Sequence, residues 1–234
     1  MGIIKEACIE NVTFLEEYIY AGADRIELCD NLYVGGTTPS IGNIGYAKHY
    51  CEKKNVELGI MIRPRGGDFV YNAVEKDIMI EDMKNLVEVA RFDRFVIGAL
   101  TEGGDIDSEF IEKFIHIARF YNSDIKCTFH MAFDHIGANL EKSEKDAALK
   151  KRIEAIKVIK ELGIDTILTH GSNDGNDIFE NLAILKKYVE CAKEYGVIIM
   201  PGGGLTYDNK DRLLKELPDI KAVHGTKIVK IKSC

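Results

Sequence analysis

Residues 143–169 read SEKDAALKKRIEAIKVIKELGIDTILT, and this stretch decides the fold class. Ser143 suits a helix N-cap ahead of Glu144, Lys145 and Asp146, because its hydroxyl can accept a first-turn amide that has no partner within the helix. Leu149, Ile153, Ile156 and Leu162 then line one helical face, and Gly163 marks the stop, where a left-handed residue closes the last turn. Asp165 comes next, followed by the short run Thr166–Thr169. Helix, glycine, aspartate and short strand form one unit, and the rest of the chain repeats it.

The other strand candidates are Ile4–Ile9, Arg25–Cys29, Glu57–Ile62, Arg94–Gly98, Ile125–Phe129, Val197–Met200 and Ile220–His224. All are short and rich in Ile, Val and Leu, as strands covered on both faces must be. Met79, Met83, Leu86 and Ala90 make a helical face between two of them, and Leu182, Leu185, Val189 and Ala192 make another that ends at Gly196. Strands alternating with helices imply a parallel sheet. Asp24, Asp93, Asp165 and Asp219 each introduce an even-numbered strand. Such a fourfold pairing of βα units is what an eightfold barrel produces, since alternate strands supply alternate interior layers. The expected fold is α/β, a single TIM-type (βα)8 barrel over residues 1–234, with an open doubly wound sheet as the alternative. After His224 only Gly225–Cys234 remain, fewer than the ~10–12 residues of a full crossover helix, so the eighth helix should be short or missing. That would leave an apolar strip near the seam, and a homo-oligomer is expected to cover it.

Composition narrows the function. With 31 basic against 38 acidic residues the net charge is -7, which argues against a nucleic-acid surface. No apolar run approaches the ~20 residues of a membrane span, and no membrane partner is expected. The six cysteines form no C-x-x-C pair and no dense framework, so reduced thiols and a cytoplasmic location are expected.

In a parallel barrel the loops after the strands form the functional face, and the unusual chemistry of this chain collects there. Arg63-Pro64-Arg65-Gly66-Gly67-Asp68 follows the third strand, with two guanidinium forks suited to a small anionic ligand. Pairing of these arginines with nearby carboxylates is the structural alternative. Gly202, Gly203 and Gly204 follow the seventh strand, and Gly225 and Thr226 the eighth; backbone amides there can approach an anion closely. His130 ends the fifth strand with Asp134 four residues on, and His224 ends the eighth. Strand alternation places Glu6, Cys8 and Glu10 on one side of the first strand, and Arg25, Glu27 and Cys29 on one side of the second. Thiolates select Cu(I) or zinc, whereas imidazole and carboxylate also suit proton transfer. A lone cysteine is more often a small buried apolar group. Cys51, Cys127, Cys191 and Cys234 read as packing or surface thiols.

The phrases Ala23-Asp24-Arg25-Ile26-Glu27-Leu28-Cys29, Gly36-Thr37-Thr38-Pro39-Ser40, Met61-Ile62-Arg63-Pro64-Arg65-Gly66-Gly67-Asp68-Phe69, Gly98-Ala99-Leu100-Thr101, Thr128-Phe129-His130 with Ala132-Phe133-Asp134, and Met200-Pro201-Gly202-Gly203-Gly204 closely resemble the CutC copper-homeostasis family. The resemblance runs in order over nearly the whole chain. It implies a barrel, a cytoplasmic location, homo-oligomers and a role in copper handling, with Cys8 and Cys29 in the place of the family's proposed copper thiols. The chain departs from the family at Met131, where the pattern has Arg, and at Thr169-His170-Gly171, where it has Thr-Ser-Gly. It also departs in the shortened segment after His224-Gly225-Thr226.

Two functional classes stand at this point. The first is a protein that binds or buffers copper as Cu(I) through Cys8 and Cys29. The second is a lyase, isomerase or hydrolase acting on a small anionic, sugar-like or phosphorylated substrate. Its anion grip would be Arg63, Arg65, Asp68 and the two glycine loops, with Glu10, Glu27, His130, Asp134 and His224 as acid/base candidates.

Overall fold

Eight short parallel strands alternate with seven helices in the structure, a computed structural model that describes residues 2–89, 92, 94–140 and 144–231. The strands are β1 (Ile4–Glu10), β2 (Arg25–Cys29), β3 (Glu57–Met61), β4 (Arg94–Ile97), β5 (Lys126–Phe129), β6 (Thr166–Thr169), β7 (Ile198–Pro201) and β8 (Ala222–Gly225). The helices are α1 (Leu15–Tyr20), α2 (Ile41–Lys54), α3 (Ala73–Val89), α4 (Ser108–Tyr121), α5 (Lys145–Glu161), α6 (Leu182–Tyr195) and α7 (Lys210–Glu216). Each helix follows the strand of its own number. Hydrogen bonding runs in the order β7-β6-β5-β4-β3-β2-β1-β8, and β7 and β8 pack together across the seam of a nearly closed barrel. The barrel expected from the repeat is the observed fold.

The recurring aspartates have a local cause. Asp24 accepts the Lys5 amide at 2.9 Å, and Asp165 accepts the Cys127 amide at 2.8 Å. In these two cases the aspartate before an even strand caps the amide of the second residue of the odd strand beside it. Asp219 instead pairs with Lys193, and Asp93 lies outside the described residues. So do Ser143, Ala90 and Cys234; Glu144 occupies the N-cap position of α5. Gly163 and Gly196 do adopt positive φ, +86° and +67°, at their helix ends.

The core divides into two regions. The large one fills the space between strands and helices, with Ile26, Leu58, Phe95, Phe129 and Ile167 against Met83, Phe114, Ile156 and Leu185. The barrel interior is smaller and polar at its base. Arg25 meets Glu6 and Glu57, and Arg94 meets Glu57 and Asp165 at 2.9 and 2.8 Å. Buried guanidinium groups are tolerated there because each has a carboxylate partner. Two small apolar clusters share the interior with these ions, Cys8, Cys29, Met61 and Val96 in one and Leu168, Met200 and Ala222 in the other.

Among the described residues no helix follows β8. Ile228 and Val229 turn back into the outer core instead, and Tyr18 ties the tail down through the Thr226 carbonyl at 2.8 Å. The tail therefore packs apolar side chains against the outer core beyond β8. No helix among the described residues is long and apolar enough to cross a membrane.

Candidate functional site

Two thiols and a carboxyl meet where β1 and β2 reach the barrel mouth. The parallel register sets Cys8 beside Glu27 and Glu10 beside Cys29, and alternation turns Cys8, Glu27 and Cys29 inward. Their sulfurs lie 3.9 Å apart, and Glu27 Oε1 is 3.4 Å from the Cys8 sulfur and 3.5 Å from that of Cys29. All three are buried. His224 enters from β8, its Nδ1 2.7 Å from Glu6 Oε1 and 4.0 Å from Glu27 Oε2. Glu6 in turn meets the Arg25 guanidinium. A continuous chain of polar groups thus runs from the ionic base of the barrel to the thiols.

The charges along this chain alternate. Burial opposes ionisation of Glu6, but Arg25 and then His224 hold its carboxyl down at about 2. Burial likewise works against the His224 cation, yet Glu27, Cys8 and Glu6 together raise its pKa well above the usual imidazole value. The hydrogen bond with Cys29 brings the Cys8 thiol down to about 5, with His224 helping against burial. Cys29, as the partner in that bond, is pushed well up, by the bond first and by burial next. Burial, then the Cys8 charge, raises Glu27 well above the carboxylate range. The shifts thus pull apart: those of Glu6 and Cys8 favour the anion, that of His224 the cation, and those of Glu27 and Cys29 the neutral acid.

The centre opens into a cavity of about 430 Å³. Cys8, Glu27, Cys29 and His224 form its floor, and Arg63, Phe69 and His130 line it from β3 and β5. Gly203, Gly204, Gly225 and Thr226 also line it, joined by Lys227 from the tail. The Arg63 guanidinium lies 4.7 Å from the Phe69 ring centre, and the His130 ring 5.0 Å from it. Arg63 uses Nη1 on the Val34 and Gly36 carbonyls and Nη2 on the Gly67 carbonyl. Burial and then the Arg63 charge hold His130 neutral, its pKa lowered to about 3.

Five residues expected at the mouth stand elsewhere or are already occupied. Arg65 donates to Glu75 at 2.5 Å and to Asp68 at 3.1 Å, with further bonds to the carbonyls of Gly66, Asp68 and Val70. It clips the β3–α3 loop together, and Asp68 belongs to that clip. The reason is Glu75 in the first turn of α3, which meets the guanidinium before any ligand could. Glu10 is exposed at the outer end of β1. The Gly202 amide donates to the Thr169 carbonyl at 3.0 Å, so it is not free to hold an anion. Asp134 bonds the Thr169 hydroxyl and the His170 and Gly171 amides, fixing the end of β6 beside an adjoining cavity of about 490 Å³ that shares Met131, Gly203 and Gly204 with the first. Burial, against these donors, raises its carboxyl to about 6. His170 is held by the Gly202, Gly203 and Asn176 carbonyls.

Sequence reasoning passed over Lys227 as a lining residue and missed the bond between Glu6 and His224. Both contacts join the two ends of the chain. Strand alternation could have signalled Glu6, since it placed that residue on the same side as Cys8.

A profile described as the CutC family matches residues 3–229. A family protein CutC from Enterococcus faecalis is 41% identical over 229 residues, covering 97% of this chain and all of that protein. The human copper homeostasis protein cutC homolog is 35% identical over 214 residues, 92% of this chain and 70% of that one. The crystal structure of a CutC from Streptococcus agalactiae superposes with a TM-score of 0.85 at 41% identity, over 97% of this chain and 100% of that one. The chain belongs to the CutC family.

Proposed function

We propose that this chain serves copper homeostasis in the cytoplasm by holding Cu(I) as cargo between the sulfurs of Cys8 and Cys29. The observation that carries the reading is the pair of buried sulfurs 3.9 Å apart at the floor of an accessible pocket. Soft thiolates favour Cu(I) over harder ions, and a thiol brought down to about 5 is already ionised when the metal arrives. His224 and Glu27 supply a cation and a titratable proton next to the sulfurs, so the charge of a bound monovalent ion can be balanced locally. The copper-homeostasis names of the human and mouse relatives point the same way. Reduced thiols suit a reducing compartment.

Anaerobic loading with one equivalent of Cu(I), followed by X-ray absorption at the copper edge, tests the reading. Coordination by two sulfurs is expected. Copper bound by nitrogen and oxygen alone, or no uptake, would contradict it.

A further inference from the structure

Six buried side-chain polar atoms lack a hydrogen-bond partner among the described residues, and three belong to residues that line the thiol cavity. They are Glu27 Oε2, Arg63 Nε and His130 Nε2. The other three are the hydroxyls of Tyr50, Tyr71 and Tyr188, none of which lines that cavity. Folded proteins pair nearly all such atoms, so three around one opening call for a missing partner.

Two of the three are donors. His130 Nδ1 accepts the Ala132 amide at 3.2 Å, which leaves the ring proton on Nε2. Arg63 spends both Nη atoms on carbonyls, and no carboxylate lies within ion-pair distance of it among the described residues. Its charge is felt nearby, helping to depress His130 and opposing the burial that raises the Tyr71 hydroxyl. The shared Phe69 ring holds both donors to one wall, and each is about 3% exposed. The third atom, on Glu27, lies across the floor. Leu32, Met61, Leu168 and Leu205 give the cavity apolar sides. A volume of about 430 Å³ is within the range of small-molecule sites, roughly 300–1,000 Å³.

We propose that this cavity binds a small organic oxyanion, a carboxylate or phosphate ester, with its anionic head on the His130–Arg63 wall and a hydroxyl or amino group toward Glu27. Water could pair the three atoms but would bring no negative charge to the buried Arg63 guanidinium. The ligand occupies the space above the sulfurs and does not depend on copper.

The test is calorimetric titration of the copper-free, reduced protein with L-malate, glycerol 3-phosphate and inorganic phosphate. Saturable binding of malate assigns a carboxylate head, and saturable binding of glycerol 3-phosphate a phosphate head. His130→Asn and Arg63→Lys should each weaken that binding about tenfold or more, as loss of one charge-assisted contact does. Arg65→Lys, in the outer loop, should leave it unchanged. No saturable binding by any probe, binding of inorganic phosphate alone, or equal affinity in wild type and both cavity variants would overturn the proposal. If a variant fails to fold, NMR of the wild type decides: the His130 Nε2 proton should shift and exchange more slowly with the bound probe. An unmoved resonance under saturating probe would overturn it equally. Because copper is absent throughout, failure here leaves the Cu(I) reading standing.

Discussion

Glu6 holds His224 through a 2.7 Å contact from Oε1 while its other oxygen meets Arg25, so one buried carboxylate ties the barrel base to the thiol floor. This placement makes Glu6 a charge that two cations require. Neither cation has water to replace it, since Arg25 is 2% exposed and His224 8%.

Glu6→Gln should therefore be costly despite its similar size. Removing one member of a buried ionic set leaves uncompensated charge and costs about 3–5 kcal/mol. Urea unfolding near neutral pH checks this, and a loss below about 1 kcal/mol would mean that Arg25 is balanced by Glu57 alone.

The Cys8 thiol, held at about 5 chiefly by its bond with Cys29, should be ionised throughout the neutral range. Thiolate absorbance should show one sulfur titrating well below an ordinary cysteine, near 8.5. Cys8→Ser should abolish that step, and Cys29→Ser should move it upward. A single step near the ordinary value in the wild type would contradict the charge assignment.

His130 should make the fold sensitive to acid. Its folded pKa, about 3, lies below the ordinary 6.5, so folding favours the neutral ring. The unfolded chain binds the extra proton; stability from this group is complete above about pH 6.5 and falls as pH drops toward about 3. Between pH 6.5 and 5 the loss is roughly 2 kcal/mol. His130→Asn keeps an acceptor for the Ala132 amide and should lose correspondingly less over that interval. Parallel slopes for the two proteins would show that His130 is not the group responsible.

The barrel was legible because its determinants are local. Arg25–Cys29 and Thr166–Thr169 are strands at the residues where their side-chain pattern puts them, and Gly163 and Gly196 stop helices. Strand alternation also carried Cys8, Glu27 and Cys29 to one side of the sheet without any knowledge of contacts. It failed where a side chain chooses between partners. Arg63 and Arg65 look alike in Arg63-Pro64-Arg65, yet Glu75, ten residues after Arg65, captures that guanidinium while Arg63 turns to the cavity. Glu10 shares the parity of Cys8, but β1 ends there and the side chain meets solvent. The partners of Glu6 and the arrival of Lys227 depend on how chain ends more than two hundred residues apart meet where β1 pairs with β8, which no local pattern encodes.

The role proposed for Cys8 and Cys29 is to hold Cu(I) together. Anaerobic competition against a Cu(I) chelator, comparing wild type with Cys8→Ser, Cys29→Ser and the double variant, tests it most directly. The account predicts one tight site in the wild type, an affinity lowered at least about a hundredfold in either single variant, roughly 2.7 kcal/mol, and no tight site in the double variant. Equal Cu(I) affinity in the wild type and the double variant would contradict it.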